Sequence, residues 1–515
     1  MQLETQVLII GGGVTGTGIA RDLALRGVPS VVVEKKDLNA GASGANHGLL
    51  HSGGRYAGSD PETAAECKAE GDILKKVAAG CIEETGGLFV AVEGDDESYI
   101  ADFPHRCSQS GIPVRELSPQ HVRELEPAVS SKIIAAFEVD DASIDPFKLT
   151  LENMDHAQSL GSRLLRHTEV IALDCDNRRI RRVRLRNTRT GEDILVEPQQ
   201  VVNAAGAWAK NVAALAGVFI DLIYSKGSLL ISDSRLTSRV INRLRPASDG
   251  DILVPGGTVS LLGTTSIRIH DPDGIRPTVE EINAIIDHGS AMVPVLQNTR
   301  FIRAYSGVRP LIRKQAGHGD RSVSRGFALF DHHHDGLRNF VTISGGKLTT
   351  FRYMAEKTAD LICKRLGVSA PCLTRTELLP ESDSAKWTEP GRAPREWAKG
   401  KKPEDTILCE CEMVPRSVID SIVASIRKQG GNVDLRAIGL RSRIGKGLCQ
   451  GAFCGIRITA HLYDQKELTA GQGLDNLREF LNGRWKGIRP VLWDTSLIQE
   501  ELQEALHCGL FGLEL

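Results

Sequence analysis

The sequence predicts an α/β fold followed by a small cysteine-bearing module, on three observations. A strand, a glycine-rich turn, a helix and a second strand open the chain between residues 5 and 36. Further α/β stretches begin near residues 145 and 340, and Cys409, Cys411, Cys449 and Cys454 then stand as a C-x-C and a C-x4-C pair. At 515 residues two or three domains are expected, because a single core stops growing well below that length.

The first strand is the apolar run Thr5-Gln6-Val7-Leu8-Ile9-Ile10, the turn is Gly11-Gly12-Gly13-Val14-Thr15-Gly16, the helix covers Ile19 to Arg26, and Ser30 to Glu34 is the second strand. This is a Rossmann-like dinucleotide-binding start. Gly11 permits the tight turn, Gly13 lets backbone N–H groups approach a pyrophosphate, and Gly16 allows close helix-to-strand packing at the positive end of the helix dipole. Glu34, 18 residues after Gly16, is placed to accept hydrogen bonds from ribose hydroxyls and disfavours a 2′-phosphate. The N-terminal position, the lack of a second such fingerprint and the turn Asn203-Ala204-Ala205-Gly206 favour one FAD over NAD.

Farther along, Pro146 opens a helix from Phe147 to Leu160, Gly161 ends it, and Arg163 to Leu173 reads as strand. Val201 to Trp208 reads as a buried strand turning into a helix. Residues 217–300 mix short β runs with one helix after Pro277-Thr278, which suits a sheet laid over the nucleotide domain as a substrate cap. Phe340 to Ile343 is a strand, Ser344-Gly345-Gly346 a turn, and Leu348 to about Leu366 a helix. From Leu379 to Asp405 the chain is rich in Pro, Ser, Lys and Glu and reads as a linker. The expected organisation is an oxidoreductase domain at 1–375, with nucleotide-binding segments about 1–75, 145–215 and 300–375 and cap segments about 76–144 and 216–299. A linker at 376–405, the cysteine module at 406–460 and a tail at 461–515 follow, the stretch Trp485 to Phe511 reading equally as a docking element for a partner and as a helix packed on its own domain.

A formal charge of −2, from 63 basic against 65 acidic residues without basic runs, excludes an electrostatic case for nucleic acid. The sequence shows neither an export signal nor 18 uninterrupted apolar residues, so a cytoplasmic chain is expected. The odd count of eleven cysteines then argues for reduced thiols, the quartet acting as ligands and the other seven as buried apolar fillers. A C-x-C pair is unusual for structural zinc, whereas four thiolates can close a 2Fe-2S rhomb. Arg436, Arg441, Arg443 and Lys446 precede the second pair and would either offset the charge of such a cluster or form a docking face. His332-His333-His334, between Asp331 and Asp335, reads as a solvated charged turn rather than a metal tract.

Several of these motifs together resemble the FAD-dependent glycerol-3-phosphate dehydrogenases of the D-amino-acid-oxidase superfamily. They are Gly11 to Gly16 with Glu34, Gly41-Ala42-Ser43-Gly44, His51-Ser52-Gly53-Gly54-Arg55-Tyr56, Asp145-Pro146, Asn203 to Gly206, Tyr305 to Leu311, and Gly345-Gly346-Lys347-Leu348-Thr349-Thr350. The likeness spans roughly residues 1–370. With Leu408 to Cys411 and Gly447 to Cys454, which resemble a bacterioferritin-associated-ferredoxin-like 2Fe-2S module, it extends to the anaerobic, multi-subunit branch of that family.

The resemblance implies a D-amino-acid-oxidase-type FAD-binding domain with an interleaved α+β substrate domain. FAD would be held by Gly11, Gly13, Gly16, Glu34, Ser43, Val170, Ala205, Gly206, Gly346, Lys347, Leu348 and Thr349. Arg55, Tyr56, Arg309, Arg325 and Lys347 would surround the phosphate and hydroxyls of glycerol 3-phosphate, and arginine forks suit a phosphate dianion. A helix starting at Leu348 would aim its dipole at the flavin pyrimidine. For the base, His51 and His47 are candidates and equally read as packed histidines; Lys226-Gly227-Ser228 is followed by Leu229 where aerobic relatives carry a histidine. The resemblance further implies other subunits, including a membrane-anchoring iron–sulfur subunit, an indirect route to quinone, and peripheral attachment at the inner face of the cell membrane. An amino-acid or opine dehydrogenase of the same superfamily is the rival enzyme, and a redox-sensing subunit without turnover the rival from another class.

Overall fold

The computed structural model describes residues 2–312, 326–400 and 402–514. Its first sheet is built on Gln2–Ile10, whose last four residues are buried and which pairs in parallel with Ser30–Val33 on one side and Asp193–Asn203 on the other. Arg163–Leu165 extends it beyond Ser30–Val33, and Phe340–Gly345 and antiparallel Phe327–Asp331 extend it beyond Asp193–Asn203. The near-continuous apolar runs have the physical reason expected of parallel strands, which are covered on both faces. Helices Val14–Leu25, Pro146–Ser159 and Phe351–Leu366 cover one face over Ile9, Val32, Val202 and Val341. The meander Thr168–Asp176 and Arg179–Asn187 and the helix Ala209–Leu215 close the other. The stretch expected as one strand from Arg163 to Leu173 is two, broken at His167, whose φ is +52°.

The second sheet, of nine strands among the described residues, forms the cap. It contains Gly87–Val92, Ile133–Val139 and Leu222–Ser232, and the helix Val279–Met292 packs on it behind a capping box made by Thr278 and Glu281. Phe301–Ile312, expected in the third nucleotide-binding segment, pairs instead along the whole of Leu222–Ser232. Its partner strand lies about eighty residues upstream, so its sheet was not written locally.

The segment expected as a linker is a packed strap. Leu379 donates its N–H to the Val77 carbonyl at 2.7 Å, Ala385 is fully buried, and a helix at Arg392–Gly400 places Ala393 in the C-terminal core. Its anchors, Leu379, Ala385, Trp387 and Ala393, are spaced without an apolar period. The tail is likewise part of the cysteine module: Leu477, Phe480, Leu481 and Leu513 share one core with Leu408, Cys409, Ile422 and Ile458. The fully buried Arg441 ties this module to the nucleotide domain by donating to Asp37 at 3.1 Å.

Candidate cofactor and substrate site

At the glycine-rich turn, Gly11 has φ +117°, and a Cβ there would lie 2.5 Å from the Ala204 carbonyl oxygen; a Cβ on Gly16 would lie 1.9 Å from that of Gly11. Only glycine fits at either place. Gly12 and Lys36 donate their N–H groups to the two oxygens of Glu34, each at 2.8 Å, while burial raises the Glu34 carboxyl above its ordinary range. Ser43 accepts from the Val14 N–H at 3.0 Å, which closes the turn from the other side. Ala204, before Ala205 and Gly206, donates to the Ile10 carbonyl at 2.8 Å, and Val170 lies two residues beyond Thr168, whose N–H donates to the Glu34 carbonyl at 2.8 Å. These residues therefore gather at the C-terminal ends of the parallel strands, where an α/β sheet binds its ligand. Gly13 and Gly16 flank the start of the helix, and with the Glu34 carboxylate they present a close-approach surface and an acceptor that fit a dinucleotide.

Gly346 donates to the Gly326 carbonyl at 3.0 Å, and the Lys347 N–H to the Thr350 hydroxyl at 3.2 Å. The helix begins at Phe351, so Lys347, Leu348 and Thr349 form the turn before it rather than its first residues. Thr349 accepts from the His51 N–H at 3.2 Å, joining this turn to the segment 47–56.

There two imidazoles and three cations meet. The rings of His47 and His51 lie 5.9 Å apart, His51 lies 5.2 Å from Tyr56, and the Lys347 ammonium sits 4.4 Å over the Tyr56 ring. Burial, then Arg309 and Arg55, hold His47 down to about 3; burial, then His47, Lys347 and Arg55, hold His51 well below the usual imidazole range. Both are neutral at pH 7. Arg309 reaches this place from Phe301–Ile312, donating to the Thr265 carbonyl at 3.2 Å and to the Thr264 hydroxyl. Gly227, opposite Gly307, makes room for it, since a Cβ there would lie 2.4 Å from the guanidinium. Arg55 is held by an ion pair to buried Asp251 and donates to the Arg243 carbonyl at 3.0 Å. Asp251 escaped sequence reading because it lies 196 residues from Arg55 in no motif. Arg325 falls outside the described residues.

Cys409, Cys411, Cys449 and Cys454 influence one another's titration: Cys411 and Cys454 hold the Cys449 thiol low, and Cys409 and Cys449 push Cys454 up. Among the described residues no group of three or more His, Cys, Asp or Glu is set to hold a metal ion. The convergence of four thiols is the donor chemistry a thiolate-bound iron–sulfur cluster takes. Of the nearby cations, Arg436, Arg441 and Arg443 are engaged by Glu479, Asp37 and Glu412, so they are not free to balance such a cluster. Of the seven other cysteines, Cys175 is exposed and Cys372 and Cys508 are half-buried, unlike the fillers expected. His332 is buried, not solvated: its ring bonds to Asp335 at 2.7 Å and Thr342 at 2.8 Å and stacks on Phe340.

Residues 6–361 match the FAD dependent oxidoreductase family, DAO, which defines the class of protein. Within it, the chain is 42% identical to the A subunit of the anaerobic glycerol-3-phosphate dehydrogenase of Escherichia coli (strain K12), over 99% of this chain and 97% of that one. It is 38% identical to the A1 subunit of the corresponding Haloferax volcanii enzyme, over 99% and 91%. The chain belongs to the family of anaerobic glycerol-3-phosphate dehydrogenase A subunits. Its fold is shared with the glycerol-3-phosphate dehydrogenase of Bacillus halodurans solved with FAD, at a TM-score of 0.65 and 21% identity, covering 95% of this chain and 96% of that one.

Proposed function

We propose that the chain oxidises sn-glycerol 3-phosphate to dihydroxyacetone phosphate with FAD as acceptor. Electrons then pass through a 2Fe-2S cluster on Cys409, Cys411, Cys449 and Cys454 to partner subunits and membrane quinone. The observation that carries this reading is the meeting of Arg309 and Lys347 with two neutral imidazoles beside the cofactor turn. A phosphate dianion needs such cations, and the forked guanidinium of Arg309 can engage two of its oxygens. Arg325 is proposed as a further cation, and Arg55, fixed by Asp251, as a contributor to the positive field. Tyr56 positions the Lys347 ammonium through its ring face.

His51 is proposed to take the proton of the C2 hydroxyl as the C2 hydrogen leaves with its electron pair, so that the alcohol becomes a ketone. The bound dianion offsets the charges of Arg309, Arg55 and Lys347 that hold the imidazoles low, and the base gains proton affinity when substrate arrives. FAD, when bound, supplies the two-electron acceptor. A four-thiolate cluster supplies one-electron transfer onward. The relatives' names and their near-complete overlap with this chain support the same substrate and the existence of further subunits. No helix among the described residues is long and apolar enough to cross a membrane; the proposal assigns attachment at the inner face of the cell membrane to partners, including a membrane-anchoring iron–sulfur subunit.

The test is anaerobic bleaching of the purified flavoprotein. Glycerol 3-phosphate should bleach it and glycerol should not, and His51→Asn should slow bleaching by about 10²- to 10⁴-fold. Bleaching by a D-amino acid or an opine, with none by glycerol 3-phosphate, would overturn the reading.

A further inference from the structure

A cavity of about 1210 Å³ lies between the segment 41–48, the strand Phe301–Ile312 and the cysteine module. None of Gly11, Gly13, Gly16, Glu34 or Ser43 lines it: Ser43 turns its hydroxyl to Val14, while Ala42 and Gly44 border the cavity. Three cations, Arg303, Lys446 and Arg484, stand in its wall. The Lys446 ammonium lies 4.7 Å over the Phe147 ring and the Arg484 guanidinium 5.6 Å over Phe480. Arg303 donates to the Gly483 carbonyl at 3.1 Å, and its other terminal nitrogen is buried without a partner.

Among the described residues none of the three makes an ion pair with a carboxylate. Of the acidic groups on the wall, Asp37 pairs with Arg166 and Arg441, Glu83 with Arg235, Glu381 with Arg392 and Glu389 with Arg395, while Asp145 attracts Lys446 without forming an ion pair with it. Burial lowers Lys446 to about 7, Arg484 to about 9 and Arg303 to about 10, and repulsion from Arg443 and Arg303 adds to the first two respectively. Half-buried cations without an ion-pair partner are costly, and an anion relieves that cost. The cavity is far larger than a bare ion requires, and the aromatic residues Phe147, Trp208 and Phe480 are among those that line it.

We propose that Arg303, Lys446 and Arg484, cations other than Arg309 and Lys347, form a second anion site in this cavity, which His47 also lines, for a phosphate monoester that carries an aromatic ring system. The site joins the cofactor segment to the cysteine module, so its ligand would hold the two together.

The experiment uses FAD-loaded protein in phosphate-free buffer, with adenosine 5′-monophosphate and inorganic phosphate as calorimetric probes. One monophosphate should bind per chain, at least tenfold tighter than inorganic phosphate, and that binding should persist in Arg309→Ala. It should weaken at least tenfold in the double variant Lys446→Met/Arg484→Leu with FAD content unchanged. Before any ligand is added, the double variant should melt no lower than wild type, and the monophosphate should raise the melting temperature of wild type alone. Absence of binding to wild type, or equal binding to the double variant, would overturn the site. Equal affinity for the two probes would overturn the aromatic class. Loss of FAD from the double variant would assign these cations to the FAD pyrophosphate instead, and loss of binding in Arg309→Ala would return it to the substrate site.

Discussion

At the scale of single residues, Arg309 combines a legible position with an illegible setting. The run Tyr305 to Leu311 singled it out, but only the pairing of its strand with Leu222–Ser232 shows that Gly227 clears its space and that Thr264 and Thr265 aim it. Arg309→Ala should weaken glycerol 3-phosphate binding by about 2 to 5 kcal/mol, the scale for removing one partner of a desolvated charge pair. Substrate titration of flavin bleaching measures this, with FAD content as the control; unchanged titration would remove Arg309 from the phosphate site. Glu152 is a residue no motif announced. Burial raises its carboxyl to about 7, against hydrogen bonding from the Cys81 thiol and the charge of Lys148. The folded state therefore holds a proton that the unfolded state releases near 4.5, and stability falls as pH rises from about 4.5 to 7. Glu152→Gln should be near neutral at pH 4 and more stable than wild type by about 1 to 3 kcal/mol at pH 8. Urea unfolding at the two pH values checks the sign.

At the scale of elements, the helix Ala470–Ile488 sits directly on the cap strand Phe301–Ile312. A Cβ on Gly487 would lie 2.4 Å from the Ala304 carbonyl oxygen, a backbone atom that cannot swing away. Gly487→Ala should therefore lift this helix, cost about 1 to 3 kcal/mol, and speed hydrogen exchange in 470–488 while FAD is retained. Exchange no faster than wild type would mean that the contact does not hold the module. The contact shows why the sequence leaves the tail's role open: its apolar positions, Leu477, Phe480, Leu481 and Trp485, are ordinary helix spacing, and spacing names a buried face without naming what buries it. The opening strand, turn and helix were legible because each signal there is local. An apolar run, glycines at the close approaches and a carboxylate at the next strand end all lie within 30 residues of one another.

At the scale of the whole molecule, the cysteine module is fastened to the nucleotide domain by Arg441 on Asp37 and to the cap by the 470–488 helix. Cys449→Ser should remove the iron–sulfur paramagnetic signal of the reduced protein while FAD stays bound and bleaching by glycerol 3-phosphate persists. Turnover with a dye that takes electrons from flavin should continue in part, and quinone reduction should collapse. Zinc in place of iron, or quinone reduction that survives the change, would leave the module a structural role.

The sequence by itself determined the α/β class and the place of the dinucleotide turn. Those are properties of residues close along the chain, where φ or a missing Cβ leaves few alternatives. Only the tertiary structure decided that Phe301–Ile312 belongs to the cap, that residues 376–400 form a packed strap, that Arg55 answers to Asp251, and that Arg303, Lys446 and Arg484 share one cavity. Each of these joins groups distant in sequence. A strand's alternation or a cation's charge states that a partner is needed, and the identity of the partner is set by which surfaces the whole chain brings together.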